Sequence, residues 1–161
     1  MAHDLWHALK TSEKGGAMNL KAFNAEVLFA VDKVRSLARK EIDLLRSGAL
    51  AAPTGRLRIC LHSDSEALLH EMLIALRNDV YYSPHKHPLT EESYWLVDGS
   101  ARLHLYSPEG RELSVILLGD PASGRSIYAR IPPDTFHCLM IESQVCVYLE
   151  TKLGPFSAQP N

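Results

Sequence analysis

The chain has 161 residues, 46% of them hydrophobic and 22% charged, with a formal net charge of −2. That is the composition of one folded domain, long enough to bury roughly 68–70% of its unfolded surface. The small net charge gives no electrostatic case for nucleic acid or an anionic membrane, and no apolar run reaches the ~18–20 residues that span a bilayer.

The opening residues, Met1-Ala2-His3-Asp4-Leu5-Trp6-His7, lack the basic start and apolar stretch of a signal peptide, so a cytoplasmic location is expected. Residues 1–19 read as a flexible leader, with Gly15-Gly16 ahead of Met18, an alternative start. His3 and His7 carry no role in it. From Leu20 onward Phe23, Val27, Val31, Val34, Ala38, Ile42 and Leu45 recur at intervals of three and four. This spacing predicts an amphipathic helix over 20–48, packed on the domain or on a partner subunit, and ended by Ser47-Gly48 and Pro53-Thr54-Gly55.

At Arg56 the period changes to two: Leu57, Ile59 and Leu61 alternate with Arg58, Cys60 and His62. Short β-type runs follow at 71–76, 80–82, 93–97, 102–106, 113–118, 126–131, 136–142 and 145–151, several of them separated by turn residues. A helical turn at 67–72 is an open alternative. Many short strands over 56–153 predict a sandwich or barrel, with a tail over 154–161. The cysteines, Cys60, Cys138 and Cys146, are odd in number and lack close pairs, which argues for buried free thiols. Cys138 should face away from its neighbour His137.

One stretch concentrates chemistry: His85-Lys86-His87, then Glu92, then Gly99, answered later by Pro132-Pro133-Asp134 and His137. Histidines at i and i+2 of an extended segment share a face. A nearby carboxylate and a third, distant histidine complete a metal-ligand set of three nitrogens and one oxygen. Glu91 competes with Glu92, but would point away once the strand has begun. His62 and His70 could approach from an accessory strand or be structural, and His104 is expected in a packing layer. Tyr94 shares the face of Glu92, whereas Tyr128 and Arg130 share a face leading into the Pro132 turn; these three are the candidate catalytic contacts. A phenol can donate a proton or stack on a sugar, and a guanidinium can fork onto a carboxylate or phosphate.

The two stretches resemble the paired motifs of the cupin superfamily, whose small β-barrel holds a divalent metal between them. The interval from Glu92 to Gly99 matches its first motif. In the second, Asp134 stands in the usual glycine place and Ile141 where asparagine often occurs; neither change removes a ligand. The runs 56–62, 69–74, 84–87 and 150–156 are in turn similar to the WbuC family of cupin-fold metalloproteins, a similarity covering about 18–158. The resemblance implies a cupin-type double-stranded β-helix, a jelly-roll barrel behind an N-terminal helix, with metal ligands His85, His87, Glu92 and His137. Iron, manganese, zinc or nickel all suit that donor set. The family's association with bacterial surface-polysaccharide (O-antigen) gene clusters implies a sugar-derived small-molecule substrate, and cupins are commonly homodimers. Metal-assisted isomerisation or epimerisation, dioxygen chemistry at non-haem iron, and non-catalytic ligand binding all fit this ligand set.

Overall fold

The structure, a computed structural model, describes residues 18–155. His3, His7, the rest of the expected leader and positions 156–161 lie outside the described residues. In chain order the elements are β1 (Leu20–Ala22), β2 (Val27–Ala30), α1 (Arg39–Ala51), β3 (Arg56–Cys60), β4 (Leu69–Arg77) and β5 (Glu92–Asp98). They continue with β6 (Ser100–Tyr106), β7 (Glu112–Gly119), β8 (Tyr128–Ile131), β9 (Phe136–Ile141) and β10 (Val145–Leu153). A seven-stranded sheet runs β1-β2-β3-β4-β10-β5-β8, and a three-stranded sheet runs β7-β6-β9. The pairs are antiparallel except β2 with β3. Two facing sheets of this kind form a jelly-roll barrel.

Strand alternation builds two cores. Leu76, Tyr94, Leu96, Cys146 and Tyr148 from the large sheet meet Ala101, Leu103, Leu118, Leu139 and Ile141 from the small one, with Ala129 and Ile131 of β8 at the side. The opposite face of the large sheet presents Leu57, Ile59, Leu73, Ala75, Val145 and Val147 to Leu45 and Ala49 of α1. A Cβ at Gly48 would lie 2.3 Å from Leu57 Cδ2, so this glycine sets how closely α1 approaches β3. Ala38 has no side chain with which to cap the helix. Instead Glu41 reaches back to the Ala38 N–H at 2.9 Å and also accepts the Met18 N–H at 3.3 Å. Arg46 then ties α1 to the end of β5 through Asp98 at 2.5 Å. There Gly99, at φ 89°, makes the turn into β6; a side chain would meet Ser143 Oγ and the Val145 carbonyl.

The helix expected over 20–48 is corrected: β1 and β2 occupy its first half, α1 begins at Arg39, and Gly48 lies inside the helix. The three-and-four spacing was not a core face. Phe23 is 74% and Val34 82% exposed, whereas Val27 and Leu28 are both buried. Leu28 and Ala30 pack into the helix-side core while Val27 and Phe29 pack with Cys60 and Met72. A short run buried on both faces carries no readable period, and pairing with β3 decided its conformation. The run 80–82 is not a strand, and 67–72 resolves into the start of β4 rather than a helical turn.

The three cysteines are free and buried. Burial pushes the Cys146 thiol up to about 12 and raises Cys60 and Cys138 as well, so none is poised as a nucleophile. Cys138 does face away from His137, donating its S–H to the Tyr82 carbonyl at 3.0 Å.

Candidate metal centre

The barrel core continues without a break into the site. Glu92 extends the inward row of Tyr94 and Leu96 on β5, and His137 extends the row of Leu139 and Ile141 on β9. His85 lies outside the named strands but pairs with the edge of β9: its N–H donates to the His137 carbonyl at 3.0 Å, and the return bond is 2.8 Å. That bridge makes the segment locally extended, so His87 follows on the same face. The Asp134 N–H donates to the His87 carbonyl at 2.8 Å, locking the second motif's turn against the first.

The structure thus brings His85, His87, Glu92 and His137 together, with one donor atom of each lying within 4.8 Å of the others. Two donors about 2.1 Å from a shared ion stand at most about 4.2 Å apart, so only small adjustments would complete coordination. Glu92 and His137 are almost wholly buried, at 3% and 1% exposure. Glu92 Oε2 is 3.4 Å from His87 Nε2 and its Oε1 is 2.5 Å from His137 Nε2. Tyr94 donates its hydroxyl to Glu92 Oε1 at 2.7 Å.

Two ring orientations are set from behind. His85 Nδ1 is 3.1 Å from the Ser83 carbonyl and His137 Nδ1 is 2.8 Å from the Thr135 carbonyl. A carbonyl only accepts, so each Nδ1 carries a proton and each ring turns its Nε2 inward, the nitrogen that can offer a lone pair to a metal ion. His137 Nε2, although beside Glu92, is out of line for an N–H···O bond and has no hydrogen-bond partner. A buried Nε2 facing a buried carboxylate is unfavourable unless a proton on the ring or a metal ion lies between them. The residues therefore fit a divalent metal ion.

The electrostatics agree. Burial favours the neutral form of Glu92, but contacts with His137, His87 and Tyr94 outweigh it and hold the carboxyl far below its usual range. Burial likewise disfavours a charge on His137, yet the adjoining Glu92 raises its pKa above the ordinary imidazole value. His85 shifts the other way, chiefly through burial. Burial and the Glu92 charge push Tyr94 well above the usual phenol range, so its proton stays on the Glu92 bond.

Glu91 is absent from the cluster, being held instead by Arg130 through both carboxylate oxygens. Tyr128 and Arg130, expected near the site, are corrected: they lie on the outer face. In register they oppose Trp95 and Ser93, while Ala129 and Ile131 fill the core, and the Tyr128 ring packs edge-on to Trp95. Shared parity placed the two residues together; it did not say which face of β8 would be inward. His104 is on the outer face of the small sheet, bonded to Glu112 at 2.7 Å and stacked on Tyr106. His62 and His70 stack on each other at 4.1 Å, away from the four-residue cluster. Two inward residues were not anticipated, Glu150 and Lys152. The alternation Cys146, Tyr148, Glu150, Lys152 along β10 was the available signal.

Asp134 adopts φ 60°, the conformation that favours glycine, and its carboxylate contacts Lys86 at 2.5 Å. We expect Asp134→Ala to lower stability by about 1 kcal/mol, the cost of a left-handed residue without a locally bonding side chain, and Asp134→Gly to lower it less. Urea unfolding of both variants checks the order.

A family model described as "Domain of unknown function (DUF6016)" matches residues 37–118. No match was found among curated proteins. Among solved structures, oxalate oxidase in complex with the substrate analogue glycolate is similar with a TM-score of 0.49 and 13% identity, over 66% of this chain and 54% of that one. KdgF from Halomonas sp. is similar at 0.45 and 18%, over 66% and 85%. A mutant oxalate decarboxylase of Bacillus subtilis is similar at 0.45 and 21%, over 56% and 22%. The chain spans 21%, 42% and 22% of the first three solved structures it matches. No helix among the described residues is long and apolar enough to cross a membrane.

Proposed function

The chain belongs to the family described as domain of unknown function DUF6016, and we propose that it is a metal-dependent protein acting on a small, sugar-derived molecule by isomerisation or epimerisation. The observation that carries the reading is the convergence of His85, His87, Glu92 and His137, with a buried Nε2 that finds no hydrogen-bond partner. The substrate class comes from the WbuC-like resemblance and its link to surface-polysaccharide metabolism. A cytoplasmic homodimer is part of the same proposal.

A divalent ion held there would polarise a carbonyl or hydroxyl oxygen and acidify bound water. The chain's own residues fix the donors. Thr135 and Ser83 orient two imidazoles through their carbonyls, and Tyr94 orients the Glu92 carboxylate. Acid–base chemistry beside a carbonyl exchanges a carbon-bound proton with solvent. Metal-loaded protein incubated with nucleotide sugars in heavy water should therefore introduce deuterium at the carbon next to the reacting oxygen, read by NMR. Oxygen uptake with iron, in place of exchange, would move the assignment to a dioxygenase. Ligand bound but recovered unchanged would leave a binding protein.

Metal uptake should also release a proton. In the metal-free protein, Glu92 favours the charged form of His137, and this contact stabilises the fold from above the lowered carboxyl pKa up to the raised imidazole pKa. Stability from Glu92 is lost as pH falls through its folded value; stability from His137 is lost as pH rises through its own. A ligand needs the Nε2 lone pair, so affinity falls as pH drops through the raised His137 value. Calorimetry in buffers of different ionisation enthalpy should show more proton release per metal near pH ~6.5 than near pH ~9. Equal release at both would contradict the assignment.

A further inference from the structure

The interior of the barrel holds charges that the four donors do not use. Along β10, Glu150 and Lys152 follow Cys146 and Tyr148 on the inward face. Lys152 stands directly between His70 on β4 and Glu92 on β5, and Glu150 between Met72 and Tyr94. Directly opposed residues in antiparallel strands place their Cβ atoms about 4.5–5.5 Å apart, so both side chains adjoin the metal centre. Burying an ammonium is costly unless a partner compensates it. Lys152 makes an ion contact with Glu150 Oε1 at 3.4 Å, longer than the ~2.7–2.9 Å of a well-formed charge-assisted bond.

An ammonium carries three donors, and this one is only loosely engaged. Burial raises the Glu150 pKa, with Lys152 opposing the rise and the Glu92 charge adding to it. The Lys152 side chain nevertheless keeps 22% of its surface accessible, so a small molecule can reach it. In the same row, the buried His70 Nε2 has no hydrogen-bond partner. Arg130 offers a contrast, since Glu91 already occupies its guanidinium on the outer face.

We propose that Lys152 forms an anion subsite inside the barrel, taking the carboxylate or phosphate of a small ligand whose remaining oxygens face His85, His87, Glu92 and His137. The proposal rests on the reading of those four residues as a metal centre. It gives the site a polarity: donors for a cation on β5 and β9, and a cation for an anionic substituent on β10.

The test uses the full chain loaded with Mn(II), with Lys152→Met and Lys152→Arg variants, and three probes titrated calorimetrically: lactate, inorganic phosphate and the uncharged lactamide. Manganese content is measured on each sample. Wild type should bind lactate or phosphate at least about tenfold more tightly than lactamide, as expected for hydrogen bonds to a charged partner. Lys152→Met should lose that preference while keeping lactamide affinity and manganese content, and Lys152→Arg should retain most of it. Preference for lactate alone assigns a carboxylate, and for phosphate alone a phosphate ester. Unchanged anion affinity in Lys152→Met, or wild type that fails to prefer either anion, overturns the subsite while leaving the metal centre intact. Wild type that takes up no manganese overturns the metal centre and the subsite with it.

Discussion

Glu92→Gln should weaken metal binding by more than about a hundredfold while leaving the fold in place. Replacing an outer partner of a metal ligand typically costs 10–100-fold, and Glu92 is placed to be a ligand itself. The amide keeps the shape but loses the charge that offsets part of a dication's. It also brings N–H donors toward His87 and His137, where lone pairs are needed. Tyr94 would lose its anionic acceptor too. Because Glu92 contributes most to raising the His137 pKa against the effect of burial, with Thr135 and Glu150 adding to it, the variant's His137 should titrate lower than in wild type, visible by NMR of the metal-free protein. Metal affinity within threefold of wild type would show that the carboxylate is not a ligand.

Leu103→Ala tests the frame that aims these donors. Leu103 is 1% exposed at the centre of β6, opposite Ile116 on one side and Leu139 on the other. Truncating such a residue removes buried area and leaves a cavity, at a cost of about 2–5 kcal/mol. For a chain of this size each kcal/mol lowers Tm by about 2–4 °C, so thermal unfolding should fall by roughly 4–20 °C. Metal stoichiometry should stay at the wild-type value, since β9 still presents His137 through its backbone ladder. Loss of metal with unchanged Tm would contradict the separation of frame from site.

The centre was legible in the sequence because its geometry is local. Alternation put His85 and His87 on one face, and parity with the strand favoured Glu92 over Glu91; the structure pairs Glu91 with Arg130 outside. Most strands after Arg56 were readable as short β-type runs, several bounded by turn residues, even where β4 and β10 bury both faces; the run 80–82 was the exception. The segment before α1 was not. Val27, Leu28 and Phe29 are packed from both sides by different cores, so their spacing mimicked a helix that only tertiary pairing excludes. Tyr128 and Arg130 failed for a related reason: alternation groups residues but does not say which group faces inward until the partner strand is known. Glu150 and Lys152 were hidden by their polarity. Charged residues at the end of a strand read as solvated, and only Tyr148 before them marks the inward face.

The most direct test of the metal centre is the metal content of protein purified without chelator or added metal, compared with a His85→Ala/His137→Ala variant whose circular dichroism matches wild type. About one ion per chain in wild type and less than about a tenth of that in the variant is the expected result. Equal metal in the two proteins would contradict it.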